Sequence, residues 1–124
     1  GGPVSQDTLE KSEAYRPAME RFDLVVEDMT RLLENPALQK MVSQHFGRAD
    51  SIAANIEEGH GRDTTKESVR FLICARGSAR ESRGRYLRLR RWFSAEVIAD
   101  RIARCDHIIA ILTKTIPTLR RKVS

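Results

Sequence analysis

The residues best suited to acid–base or metal chemistry in this 124-residue chain are its three histidines and the carboxylates near them. Glu57-Glu58-Gly59-His60 contains one Glu-x-x-His spacing, which on a helix places a carboxylate and an imidazole on one face. A di-iron bundle uses two such pairs and two further glutamates, and the chain offers only the one. Asp106-His107 has no nucleophile at an interpretable spacing, and His45 falls among apolar helix positions, where it reads as a packed core or interface histidine. There is no glycine-rich phosphate loop and no zinc-type cysteine pair. The expectation is a protein that is not an enzyme, with no catalytic residue, no metal and no cofactor.

Arginine is the residue type that stands out. Seven lie between positions 76 and 91 (Arg76, Arg80, Arg83, Arg85, Arg88, Arg90 and Arg91), opposed in that stretch only by Glu81. At about 100° per residue, Arg76, Arg80, Arg83, Arg90 and Arg91 fall near one line, away from the apolar seam. Like charges along a ridge repel and weaken a helix, and a merely solubilising surface mixes Lys with Glu. Arginine carries a planar fork of donors that fits phosphate oxygens and stacks on bases. Sequence-independent contact with RNA or DNA is therefore expected. The contacts would be Arg76, Arg80, Arg83, Arg88, Arg90 and Arg91, seconded by Arg62 and by Arg120, Arg121 and Lys122. The competing reading is a ridge neutralised by Glu20, Asp23, Glu27, Asp28 and Glu34, within the chain or across subunits.

These residues must be held by helices. Met19, Phe22, Val25 or Val26, Met29, Leu32 and Leu33 recur at helical spacing after Pro17 and predict a first helix over 17–34, ended by Asn35-Pro36. Leu38, Val42, His45, Ala49, Ile52 and Ile56 step by three and four and predict a second over 37–58, closed by Gly59 in the left-handed C-terminal position. Thr64-Thr65-Lys66-Glu67 is a capping box that opens a third. Its seam of Phe71, Ala75, Ser78, Ser82, Tyr86, Leu89 and Phe93 predicts about 29 residues, roughly 43 Å. The small residues of that seam admit a close neighbour or leave room for a larger partner, and Tyr86 and Trp92 are expected to pack at the bundle end. Ser94 caps a fourth helix whose stripe (Ile98, Ile102, Cys105, Ile109, Leu112, Ile116 and Leu119, widened by Val97, Ile108 and Ile111) exceeds one seam, so part of it is expected to face another subunit. The fold class is all-α, an up-down-up-down four-helix bundle over 17–119. Residues 1–16 read as a tag remnant and flexible N-terminus, and 120–124 as a basic tail.

The net charge of +5 conceals an asymmetry. Residues 1–61 hold six basic and eleven acidic residues, and residues 62–124 hold sixteen basic and six acidic. Such a split points to a polyanionic partner, or to two oppositely charged hairpins that attract each other. Cys74 and Cys105 fall on apolar faces and read as buried thiols in a reducing cytoplasm. No apolar run is long enough for a bilayer, and no membrane partner is expected.

Two stretches carry a resemblance. Gln44…Ser51-Ile52-Ala53-Ala54-Asn55-Ile56-Glu57-Glu58-Gly59-His60-Gly61-Arg62, followed by Phe71-Leu72-Ile73-Cys74-Ala75-Arg76-Gly77-Ser78-Ala79-Arg80-Glu81, resembles the four-helix bundle family of 23S rRNA intervening-sequence proteins. That family is related to the accessory variability determinant (Avd) proteins of diversity-generating retroelements. The resemblance implies a bacterial, ring-shaped homopentamer. In the Avd branch it implies binding to nucleic acid and to a reverse transcriptase, for which this chain would be an accessory or scaffold subunit. The motif residues Ser51, Asn55, Glu58, Gly59, Gly77, Ser78 and Glu81 read as fold and assembly. The arginine-rich run Ser82 to Trp92 departs from the family pattern.

Overall fold

The computed structural model describes residues 12–121. The expected tag remnant, with the chain as far as residue 11, lies outside them, as do residues 122–124. Four helices follow one another: α1 (Tyr15–Thr30), α2 (Gln39–His60), α3 (Thr65–Arg88) and α4 (Ala95–Arg121). Short 3-10 turns, Pro36–Leu38 and Arg90–Trp92, lie in the first and third connections. Neighbours in sequence pack side by side, and α1 also lies against α4, which makes the up-down-up-down bundle. α1 and α3 therefore face each other diagonally across the core.

Local chemistry sets the boundaries. Asn35 accepts a bond from the Ala37 amide and opens the Pro36 turn. The Thr64 hydroxyl accepts from the Glu67 amide at the head of α3, and the Ser94 hydroxyl from the Val97 amide at the head of α4. α1 stops at Thr30, four residues before the expected end, because the next bonds run from Leu32 to Met29 and from Leu33 to Thr30, the tighter three-residue pattern. α3 stops at Arg88, five residues short. There the Leu89 amide is shared between the Arg85 and Tyr86 carbonyls, and fully buried Leu89 turns the chain back over the core. Arg90 and Arg91 thus lie on the connection, not on the helix ridge.

Two apolar clusters fill the bundle. One is built on Ala18, Ile52, Ile56, Leu72, Ile108 and Leu112, the other on Val25, Met29, Val42, Tyr86, Leu89 and Ile98. The α1 face matches the expected one in part: Val25, Met29 and Leu32 are buried and Phe22 packs against the second cluster. Met19, Val26 and Leu33 are exposed, while Ala14, Ala18, Arg21 and Asp28 turn inward. Two charged residues occupy core positions there, which an apolar count along the helix does not mark. The broad α4 stripe packs on both α1 and α3, and among the described residues α4 contributes no large exposed apolar side chain.

Two glycines are corrected. Gly59 lies inside α2, and no glycine among the described residues has a positive φ. A Cβ there would meet the Ser68 carbonyl oxygen at 3.3 Å and Leu72 at 3.4 Å. Gly59 thus serves close approach of α2 to α3, sealed by the Ser68 hydroxyl donating to the Gly59 carbonyl at 2.7 Å. A Cβ on Gly77 would meet nothing within 4 Å, so it faces outward and packs no helix. Cys74 is exposed, one position off the Leu72–Ala75–Ala79 core line, and only Cys105 is buried.

Candidate nucleic-acid interface

Between the two apolar clusters lies a polar layer to which all four helices contribute. The Arg21 guanidinium of α1 is 1% exposed; its Nε donates to Cys105 Sγ of α4 at 3.1 Å and its Nη2 to the Ser82 hydroxyl of α3. Ser82 Oγ lies 2.5 Å from Nε2 of His45 on α2. One turn along, Asp28 accepts from the Tyr86 hydroxyl at 2.6 Å and from Arg101 through two bonds of 2.6 and 3.1 Å. The Tyr86 ring stands edge-on to His45 with centroids 4.7 Å apart, and Arg21 lies over it at 5.6 Å.

The physical state of the layer follows from burial. Desolvation, with the Arg21 charge beside it, pulls His45 down to about 3, so its imidazole is neutral. Burial and the bond to Asp28 push Tyr86 up, and burial raises the Cys105 thiol. The bonds that Arg101 donates to Asp28 hold it firmly protonated. The small Ser82 does leave room for larger partners, namely Arg21 and His45. The sequence offered no sign of Arg21 or Asp28 as core residues, apart from their i, i+3 and i, i+4 relation to Ala18 and Val25.

The outer side of α3 is different. The side chains of Arg80 and Arg88, and of Arg91 on the turn that follows, are exposed and make no hydrogen bond or ion pair to another described residue. Arg90 is exposed and donates to the Leu87 carbonyl at 3.0 Å. The other arginines of this run divide. Arg76 and Arg83 lean into the groove with α4, where Arg76 reaches Thr113 at 3.4 Å and Arg83 pairs with Asp106 at 2.8 Å. Arg85 leans the other way, to Gln44 of α2 at 3.2 Å, beside an open hollow of about 410 Å³ shared with Gly47, Arg48 and Glu81. The single predicted line is thus an outer row with a flank on either side.

The acidic side of α1 does not neutralise this row within the chain. Its acids lie across the bundle, where Glu20 meets Arg104 of α4 at 3.8 Å and Asp28 is buried against Arg101. Glu81 pairs with Arg48 at 3.6 Å. Trp92 is 39% exposed on the connection after α3, while Tyr86 is buried, so only one of the two aromatics packs as expected.

Of the secondary contacts, Arg62 is tied to Glu58 and lies over the Phe71 ring at 4.7 Å, at the far end of α3 from Trp92. Arg120 and Arg121 end α4 and are exposed, and Lys122 lies outside the described residues. Among the motif residues, Asn55 donates to the Ser51 carbonyl at 2.7 Å and Ser78 is buried on α3. The Glu-x-x-His pair is dispersed: Glu57 accepts from Tyr15 at 3.4 Å, Glu58 holds Arg62, and burial lowers His60. Among the described residues, no group of three or more His, Cys, Asp or Glu is placed to hold a metal ion, and no helix is long and apolar enough to cross a membrane.

The family model described as 23S rRNA-intervening sequence protein matches residues 10–114, a span that takes in α1, α2, α3 and most of α4. No curated protein matches the chain.

Proposed function

The chain belongs to the 23S rRNA-intervening sequence protein family, and from that premise we propose that it is a nucleic-acid-binding protein that acts without catalysis. The outer arginines of α3 and the basic turn after it grip the phosphate backbone of RNA or DNA. One observation carries the reading: Arg80, Arg88 and Arg91 stand exposed and unpaired among the described residues, while the acidic helix that would neutralise them lies diagonally across the bundle. Contacts of this kind read charge and not base sequence.

The test is a titration of a labelled oligonucleotide at several salt concentrations. Each phosphate neutralised on duplex DNA contributes about 0.9 to the slope of log affinity against log salt, so three contacts give a slope of about −2.7. Absence of binding at low salt, or binding indifferent to salt, sinks the proposal.

A second reading rests on the opposite faces. The outer side of α1 carries Glu20, Asp23 and Glu27 with exposed Met19 and Val26, and the outer side of α3 is basic with exposed Ile73 and Leu87. Unlike faces on opposite sides favour head-to-tail association, which closes into a ring when the rotation permits. On this ground we propose self-assembly, with the homopentamer as the expected size and a reverse transcriptase or other protein as the further partner of a scaffold. Light-scattering mass measures the first, and a stable monomer at high concentration excludes it. Partner capture by a variant with reversed α3 charges separates scaffolding from nucleic-acid binding.

A further inference from the structure

We infer that the turn between α3 and α4 is a stacking platform that makes this protein prefer single-stranded nucleic acid, with Trp92 as the platform. The inference rests on the proposed nucleic-acid reading and adds to it the form of the ligand and the residue that selects it.

Trp92 is the only tryptophan in the chain, and it is not absorbed by the core. Its neighbour Phe93 packs against the second apolar cluster, and Leu89 is fully buried there. The turn is therefore pinned on both sides of Trp92, while the indole itself stays 39% exposed. A Trp92 amide bond to the Leu89 carbonyl at 3.0 Å fixes the backbone beneath the ring. An exposed indole on a backbone fixed in this way needs less ordering on binding than one on a free loop, which suits it to hold a planar partner.

Its surroundings are cationic. No acidic residue lies between Glu81 and Glu96, and five arginines do. Arg88, Arg90 and Arg91 are exposed within four residues of Trp92 along the chain, with Arg90 donating to the Leu87 carbonyl. The α1–α2 connection reaches the same end, where Arg31 lies over Phe93 at 5.7 Å. An aromatic face within a group of arginines matches a base next to phosphates, and an unpaired base offers its face where a stacked duplex does not. Glu34 and Glu96 are the exposed acids at this end, one on each flanking segment.

The experiment follows the intrinsic fluorescence of Trp92 in the full chain during addition of an unlabelled single-stranded oligonucleotide, the matching duplex, and phosphatidylserine vesicles. Anisotropy of labelled oligonucleotides is measured in parallel for Trp92→Ala and Trp92→Phe. Single strands are expected to quench Trp92. Trp92→Ala is expected to weaken single-strand binding about tenfold and leave duplex binding within about twofold, with Trp92→Phe recovering most of the loss. Salt-dependent binding without quenching, or equal losses for both strands, overturns the inference and leaves the nucleic-acid reading standing. A response to vesicles alone reassigns the turn to a membrane surface and overturns it. No binding to any nucleic acid overturns the parent reading, and this inference with it.

Discussion

Arginine serves two opposite purposes in this molecule. In the middle layer, Arg21 and Arg101 are enclosed by named partners from other helices. On the outer side of α3 and the turn after it, the side chains of Arg80, Arg88 and Arg91 reach none among the described residues. Formal charge is the same in both places. Inside, the geometry of each bond sets the register of four helices; outside, charge is left available to something else. The comparison teaches that arginine count along a helix says little until the partners of each guanidinium are known.

The sharpest way to break the comparison is to remove an inner partner. Asp28→Ala strands the Tyr86 hydroxyl in the interior and leaves Arg101, 13% exposed at its side chain, with the exposed Asp100 as its ion-pair partner. It is expected to cost about 3–5 kcal/mol in chemical denaturation, with oligonucleotide affinity of the folded protein unchanged. A loss below about 1 kcal/mol would mean that the layer is not a structural unit.

Acid probes the same layer next. The unfolded chain protonates a histidine near 6.5, whereas folded His45 resists until about 3. Between those limits the unfolded state binds more protons. Stability therefore falls as pH falls, by about 1.4 kcal/mol per pH unit from this residue. His45→Gln should flatten the difference between pH 6.5 and pH 4, read as a smaller shift in denaturation midpoint than in the parent chain.

The glycines give a smaller version of the contrast. Gly59→Ala forces a methyl against the Ser68 carbonyl and should cost about 1–3 kcal/mol. Gly77→Ala meets empty space and should gain about 0.5–1 kcal/mol from helix propensity. Equal effects at the two positions would remove the distinction between the packed and outer sides of these helices.

Smallest in stability is the outer row itself. The combined change Arg80→Glu, Arg88→Glu and Arg91→Glu should shift stability by no more than about 0.5 kcal/mol. It should nonetheless abolish the salt-sensitive part of oligonucleotide binding. A large loss of stability would show that the row holds the bundle together.

The sequence made the helix count, the two caps and the α2 seam legible, because apolar spacing and capping are local signals. His45 was legible as a packed residue, since it sits in that seam. α1 was legible only in part: Val25, Met29 and Leu32 are buried as their spacing implies, but Arg21 and Asp28 also fill core positions while Met19 and Leu33 do not. The end of α3 depended on Leu89 turning into the core, a tertiary event with no local mark. Gly59 was misread because a glycine needed for close approach looks, in one dimension, like one needed for a left-handed cap. Within the candidate interface, the sequence indicated the concentration of arginine. It gave no indication of which arginines lean into grooves, nor that Trp92 stays outside.

The diagonal placement of α1 and α3 has one more consequence. With acidic residues along one flank and arginines along the opposite one, the bundle carries an electric dipole crosswise to its helices. A net charge of +5 draws the molecule toward any polyanion. The dipole adds a torque, which turns the α3 flank forward before contact. Orientation then precedes collision, and salt that shortens the Debye length to about 8 Å weakens the aim as well as the attraction.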